Sequence, residues 1–136
     1  MSTDLSDISE VEYRQLRLER VVLCSVWTQG TAADAENTMA ELKALAETAG
    51  SQVLEAVMQH RTTPDPATYI GSGKVAELAE VVWATGADTV ICDGELDAAQ
   101  LRNLEDRVKV KVVDRTALIL DIFAQHARSV EGRTQV

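Results

Sequence analysis

The chain has 136 residues, 46% hydrophobic and 26% charged, with 22 Asp and Glu against 13 Lys and Arg. That length suits one domain with a core of its own, and the formal net charge of −9 argues against binding nucleic acid through a general positive field. No apolar run approaches the roughly 18 residues of a membrane span, and the acidic, polar start Met1-Ser2-Thr3-Asp4 is not a secretory signal, so the expectation is a cytoplasmic protein.

Residues 1–10 are polar and expected to be disordered, and residues 11–20 carry Val11, Leu16 and Leu18 among charges, a short helix or a solvated lead-in. Val21-Val22-Leu23-Cys24-Ser25-Val26-Trp27 is a nearly continuous apolar run, as a strand covered on both faces requires. Ala35, Met39, Leu42, Ala46 and Ala49 then recur at helical spacing, and Gly50 is placed to stop that helix. Val53, Leu54, Ala56, Val57 and Met58 read as a second strand, followed by a loop in which Pro64-Asp65-Pro66 forces extended backbone. Beyond Gly71-Ser72-Gly73-Lys74, a helix carries Val75, Leu78, Ala79, Val82 and Trp83 on one stripe, with Ser72 as expected N-cap and Gly86 as stop. Thr89-Val90-Ile91-Cys92 is a third strand. Asp97 and Gln100 form a capping-box pattern before a helix that turns Leu101, Leu104 and Val108 inward. A fourth strand over residues 110–113 ends at Asp114-Arg115-Thr116, and the last helix holds Leu118, Ile119, Leu120, Ile122 and Phe123.

Strands alternating with helices imply βαβ units and an α/β fold: a small four-stranded parallel sheet flanked by helices, in strand order 2-1-3-4. Such sheets bind ligands outside the carboxyl ends of their strands. That edge collects residues 27–30, 71–74, 93–94 and 114–116, and the candidate anion or partner contacts are Tyr69, Gly71, Ser72, Gly73, Lys74, Asp93, Asp114 and Arg115.

The glycine stretch is the natural place to look for a phosphate. A P-loop needs Gly five positions before Gly73, where Thr68 stands, and Ser or Thr after Lys74, where Val75 stands. Gly71, Gly73 and Ala76 with Asp93 fit a dinucleotide fingerprint better. Yet the second strand ends well before Gly71, and lone matches are common. Glycines that accommodate a sharp turn into a helix are the plainer reading. Asp93 and Asp114 are as suited to capping as to chemistry, and Arg115 to a surface ion pair. Cys24 and Cys92 stand in apolar surroundings, as buried thiols in a reducing compartment do. His60 and His126 are the only histidines and lack partners at ligand spacing. No residue is assigned a catalytic or metal-binding role.

Three longer motifs carry a family signal. Pro64-Asp65-Pro66-Ala67-Thr68-Tyr69-Ile70-Gly71-Ser72-Gly73-Lys74 resembles the signature of the HflX family of ribosome-associated GTPases. So does Val112-Val113-Asp114-Arg115-Thr116-Ala117-Leu118-Ile119-Leu120-Asp121-Ile122-Phe123-Ala124-Gln125-His126-Ala127, followed by Glu131-Gly132-Arg133-Thr134-Gln135-Val136. Asp93-Gly94-Glu95-Leu96 and Gln100-x-x-Asn103-Leu104-Glu105 lie between them in family order. Trp27, Trp83 and the third strand resemble actinobacterial members.

The resemblance spans residues 18–136 and implies an N-terminal α/β domain over 18–114. A polar lead-in precedes it at 1–17, and 115–136 form a helix that starts a linker to a helical pair and a GTPase domain. It further implies a parent that uses GTP and Mg²⁺ in that GTPase domain, binds the large ribosomal subunit and splits stalled or stressed ribosomes. This chain would be a non-catalytic regulatory and docking part, without a cofactor or membrane association of its own, its oligomeric state open. Some members are also described as binding ATP outside the GTPase domain, which leaves a nucleotide-binding module at residues 71–74 as the alternative.

Overall fold

The computed structural model describes residues 19–135, with side-chain surroundings through residue 126. The expected lead-in over residues 1–17, with its short helix, lies outside the described residues. Eight elements follow in strict alternation: β1 Arg20–Trp27, α1 Ala32–Thr48, β2 Gln52–His60, α2 Ser72–Thr85, β3 Thr89–Cys92, α3 Ala98–Val108, β4 Lys111–Asp114 and α4 Arg115–Gln135. All pairings are parallel, as the alternation of elements implied, and the sheet order is β2-β1-β3-β4, the order favoured from the sequence.

β1 is central, and its residues Val21 to Ser25 are all buried. Alternation along the strand divides them between two cores. Val22 and Cys24 join Val57, Leu78, Val90 and Leu104 beneath α2 and α3. Val21 and Leu23 join Met39, Leu42, Ile91 and Leu118 beneath α1 and α4.

The helix ends are set locally. Thr31 caps α1 through a reciprocal box: Asp34 N donates to Thr31 Oγ1 at 3.2 Å, and Thr31 N donates to Asp34 Oδ2 at 3.0 Å. Gly50, at φ 93°, turns the chain away after it. Asp97 and Gln100 form the same device at α3.

Two expectations are corrected. Ser72 is not the N-cap of α2; it is the first helical residue, and Gly71, extended at ψ 155°, takes the cap position without a side-chain bond. A Cβ built at position 71 would lie 2.6 Å from Arg61 Nη1 and 3.2 Å from Gln59 Nε2, the far ends of two flexible side chains. Trp83 does not share the inward stripe: Val75, Leu78 and Val82 are buried, whereas Trp83 is 87% exposed. Position 83 is turned about 100° from Val82 around the helix, beyond what this sheet face covers. On α4, core packing holds for buried Leu118 and half-buried Ile122, while Leu120 and Phe123 face outward, 63% and 66% exposed.

Candidate functional site

In a sheet of order 2-1-3-4, successive connections leave in opposite directions from β1 and β3, opening a crevice between their carboxyl ends where such folds take ligands. Here Tyr69 occupies it. The residue is 3% exposed and adopts φ 71°, a left-handed backbone uncommon for a bulky side chain. Its phenolic oxygen accepts from Val26 N at 3.0 Å and from Gly94 N at 3.1 Å, joining the end of β1 to the turn after β3. A Cβ added at Gly94 would stand 2.8 Å from Tyr69 Cε1, so this glycine serves the close approach of the ring. Burial pushes the phenol far above its ordinary value of 10.0, and it stays neutral at physiological pH.

The loop that delivers Tyr69 is tied down along its length. Asp65 and Tyr69 exchange backbone hydrogen bonds at 2.9 Å each. Asp65 Oδ1 accepts from Ala67 N and Thr68 N, at 2.8 and 3.1 Å. Those bonds, foremost the one from Ala67, lower the Asp65 pKa from its ordinary 3.8, and the Arg61 guanidinium adds to the effect against a partial cost of burial. Buried Thr68 donates through Oγ1 to Ile70 O at 2.8 Å. From α3, Gln100 Nε2 donates to Asp65 O at 2.8 Å and Asn103 Nδ2 to Ala67 O at 2.9 Å.

The acidic and basic candidates at this edge are already engaged. Asp114 accepts from Leu96 N at 3.2 Å and from Ala117 N at 2.9 Å, fixing the turn after β3 and the start of α4. Arg115 Nη1 donates to Asp93 Oδ1 at 2.9 Å, and Nη2 lies 3.8 Å from Glu41 on α1. Cys24 and Cys92 are register partners on β1 and β3 and fully buried. The Cys24 thiol beside it, then burial, hold the Cys92 thiol well above its ordinary 9.0. Trp27 and His60 stack at 4.1 Å across the ends of β1 and β2.

The eight candidates therefore fall into two groups. Tyr69, Asp93, Asp114 and Arg115 assemble at the carboxyl ends of β1, β3 and β4. Gly71, Ser72, Gly73 and Lys74 lie at the start of α2, beside the end of β2. Gly71 N donates to Gln59 Oε1 at 2.8 Å, and the first intrahelical bond runs from Val75 N to Gly71 O. Lys74 pairs with Glu77 at 3.0 Å. A Cβ at Gly73 would meet nothing within 4 Å, so no close contact requires that glycine. Gln59, Gln100 and Asn103 were not singled out in the sequence as contributors to this site; Pro64-Asp65-Pro66 marked the loop only as extended backbone. Among the described residues, no group of three or more His, Cys, Asp or Glu is placed to hold a metal ion, and no helix is long and apolar enough to cross a membrane.

Fold and site together define a parallel α/β domain whose switch-point crevice is filled from within by its own signature loop. The family model described as GTP-binding GTPase N-terminal matches residues 36–124, and the chain belongs to that family. It is 43% identical over 134 residues to the GTPase HflX of Lacrimispora saccharolytica, covering 98% of this chain and 30% of that protein. Against the GTPase HflX of Escherichia coli it is 48% identical over 96 residues, 71% of this chain and 22% of that protein. The chain thus spans about 30% of the length of the first curated relatives it matches. Among solved structures, a GTP-binding protein from Sulfolobus solfataricus in complex with GDP superposes with a TM-score of 0.56 at 23% identity, over 77% of this chain and 30% of that one. An SsGBP variant reaches 0.61 at 24% identity, over 85% and 36%. These two likenesses concern the fold.

Proposed function

We propose that this chain is the non-catalytic regulatory and docking domain of an HflX-like GTP-binding protein that associates with the large ribosomal subunit and splits or rescues stalled ribosomes in the cytoplasm. The observation that carries the reading is the filled crevice. Tyr69 occupies the place where a parallel sheet of this order takes a ligand, and Asp93, Asp114 and Arg115 are spent on one another and on backbone. GTP and Mg²⁺ belong, in this proposal, to a GTPase domain elsewhere in the parent. Residues 18–114 form the docking body, 1–17 a lead-in, and 115–136 the helix leading toward the rest.

Deleting residues 1–136 from the parent should leave GTP binding intact and weaken ribosome splitting or change the GTPase rate. Splitting and rate both equal to those of the intact parent would overturn the proposal. A second reading, a nucleotide-binding module at Gly71, Ser72, Gly73 and Lys74, draws support from the start of α2. There no side chain caps the helix, and Lys74 adds a positive charge where helix N–H groups favour an anion.

A further inference from the structure

The two edges of the sheet are finished differently. On β4 one outward amide is occupied: Val112 N donates to Glu105 Oε2 at 3.0 Å. β2, at the other edge, is nine residues long and, among the described residues, pairs only with β1. Gln52 N donates to Glu19 O and Arg61 N to Trp27 O, so these residues face β1. Counting back from Arg61 in steps of two, Gln59, Val57 and Glu55 face β1 as well. Ala56 and Met58 turn their N–H and C=O groups away from the sheet. Among the described residues, no backbone or side-chain group outside the strand's own ladder meets them.

That open stretch is the floor of a groove of about 350 Å³, bounded by Glu36 and Met39 of α1 on one face and Lys74 and Glu77 of α2 on the other. We propose that β2 accepts a fifth strand here: an extended, basic segment of a partner protein with Lys or Arg alternating along it. Unpaired edge groups supply the main-chain bonds of strand addition. The side chains of an added strand would alternate toward α1 and α2. On the α1 side, aliphatic stems of Lys or Arg would lie on Met39 and Met58 while their charged heads reach Glu36. On the α2 side Glu77 offers a carboxylate, already shared with Lys74 at 3.0 Å, and Glu55 adds a third acid beside the edge. The chain's formal charge of −9 favours the same sign of partner. This surface lies apart from the Tyr69 crevice and stands whether or not the ribosome is the parent's target.

The test uses the 136-residue chain and a fluorescent Lys-Val alternating peptide, with a Glu-Val alternating peptide as control. Saturable binding of the basic peptide alone, with slowed hydrogen exchange at the Ala56 and Met58 amides, is expected. Ala56→Pro removes one outward N–H at an edge position where proline is tolerated and should weaken binding about tenfold with an unchanged unfolding midpoint. If that variant fails to fold, exchange at the two amides of the unsubstituted chain decides alone. Three outcomes overturn the proposal: no saturable binding, binding that leaves Ala56 and Met58 exchange unaltered, or self-association of the chain that competes with the peptide, which would make a second copy the occupant.

Discussion

The crevice between β1 and β3 and the open edge of β2 are neighbouring parts of one sheet, and they are treated in opposite ways. At the crevice polar groups find partners within the chain itself: two backbone N–H groups meet one phenol, and the loop that carries it is anchored by Gln100 and Asn103 of α3. At the β2 edge the backbone of Ala56 and Met58 faces outward over an acidic, methionine-lined groove. The fold is thus closed where parallel sheets of this order usually receive a ligand, and open where one can receive a strand. A family resemblance to GTP-binding proteins does not by itself put a nucleotide at this sheet's carboxyl edge, since that edge is filled by structure.

The largest effect should come from breaking the closure. Tyr69→Phe keeps the ring but removes the acceptor shared by Val26 N and Gly94 N, leaving two partly buried donors unsatisfied. At about 1–3 kcal/mol for each such group, a loss of about 2–6 kcal/mol is expected, measured by urea unfolding of the two proteins side by side. The comparison would be broken by a cost below about 0.5 kcal/mol, the range of an ordinary surface change, because the phenol would then be no keystone.

Much of this arrangement was legible in the sequence, for identifiable reasons. The alternation of apolar runs with helical spacing, punctuated by Gly50, Gly86 and the Asp97 cap, is a local signal that tertiary contacts reinforced. The strand order 2-1-3-4 was favoured among several that right-handed crossovers allow, and the sheet has it. The loop was another matter. Tyr69 reads as one aromatic in a glycine-rich stretch, and its role depends on Val26 and Gly94, 43 and 25 positions away. Gln100 and Asn103, which hold the loop at Asp65 O and Ala67 O, belong to α3, where the sequence shows a cap and a family motif but not a bond to residues 35 and 36 positions away. Trp83 failed for a related reason: spacing places a residue on a stripe, but the width of the stripe is set by the sheet beneath it.

A smaller effect should appear on acidification. Asp65 holds the loop as a carboxylate, its pKa lowered by the N–H groups of Ala67 and Thr68. A depressed folded pKa means that the unfolded chain takes up the proton first as pH falls. The stabilisation is therefore complete above the ordinary value of 3.8 and is lost as pH drops through the folded value. The unfolding midpoint should decline more steeply below about pH 4 in the unsubstituted chain than in Asp65→Asn. Parallel curves for the two would show that the loop is held by its backbone and side-chain anchors from α3 alone.

The smallest expected effect tests the open side. Lys74 sits at the groove, 28% exposed and bridged to Glu77 one turn along α2. Pairs of this kind on a helix surface contribute about 0.2–0.5 kcal/mol, so Lys74→Ala should hardly move the unfolding midpoint. Its weight lies in what it separates. If the start of α2 served a nucleotide, Lys74 would supply the only formal charge within Gly71, Ser72, Gly73 and Lys74. Titration calorimetry with ATP, GTP and NAD would then give saturable heat in the original chain and none in the variant. The docking proposal expects no saturable heat in either. The closed crevice supplies the reason: the switch-point position where folds of this order take a nucleotide is filled by the ring of Tyr69. Heat that vanished on replacing Lys74 would therefore relocate the ligand site of this fold from the switch point to the flank of β2.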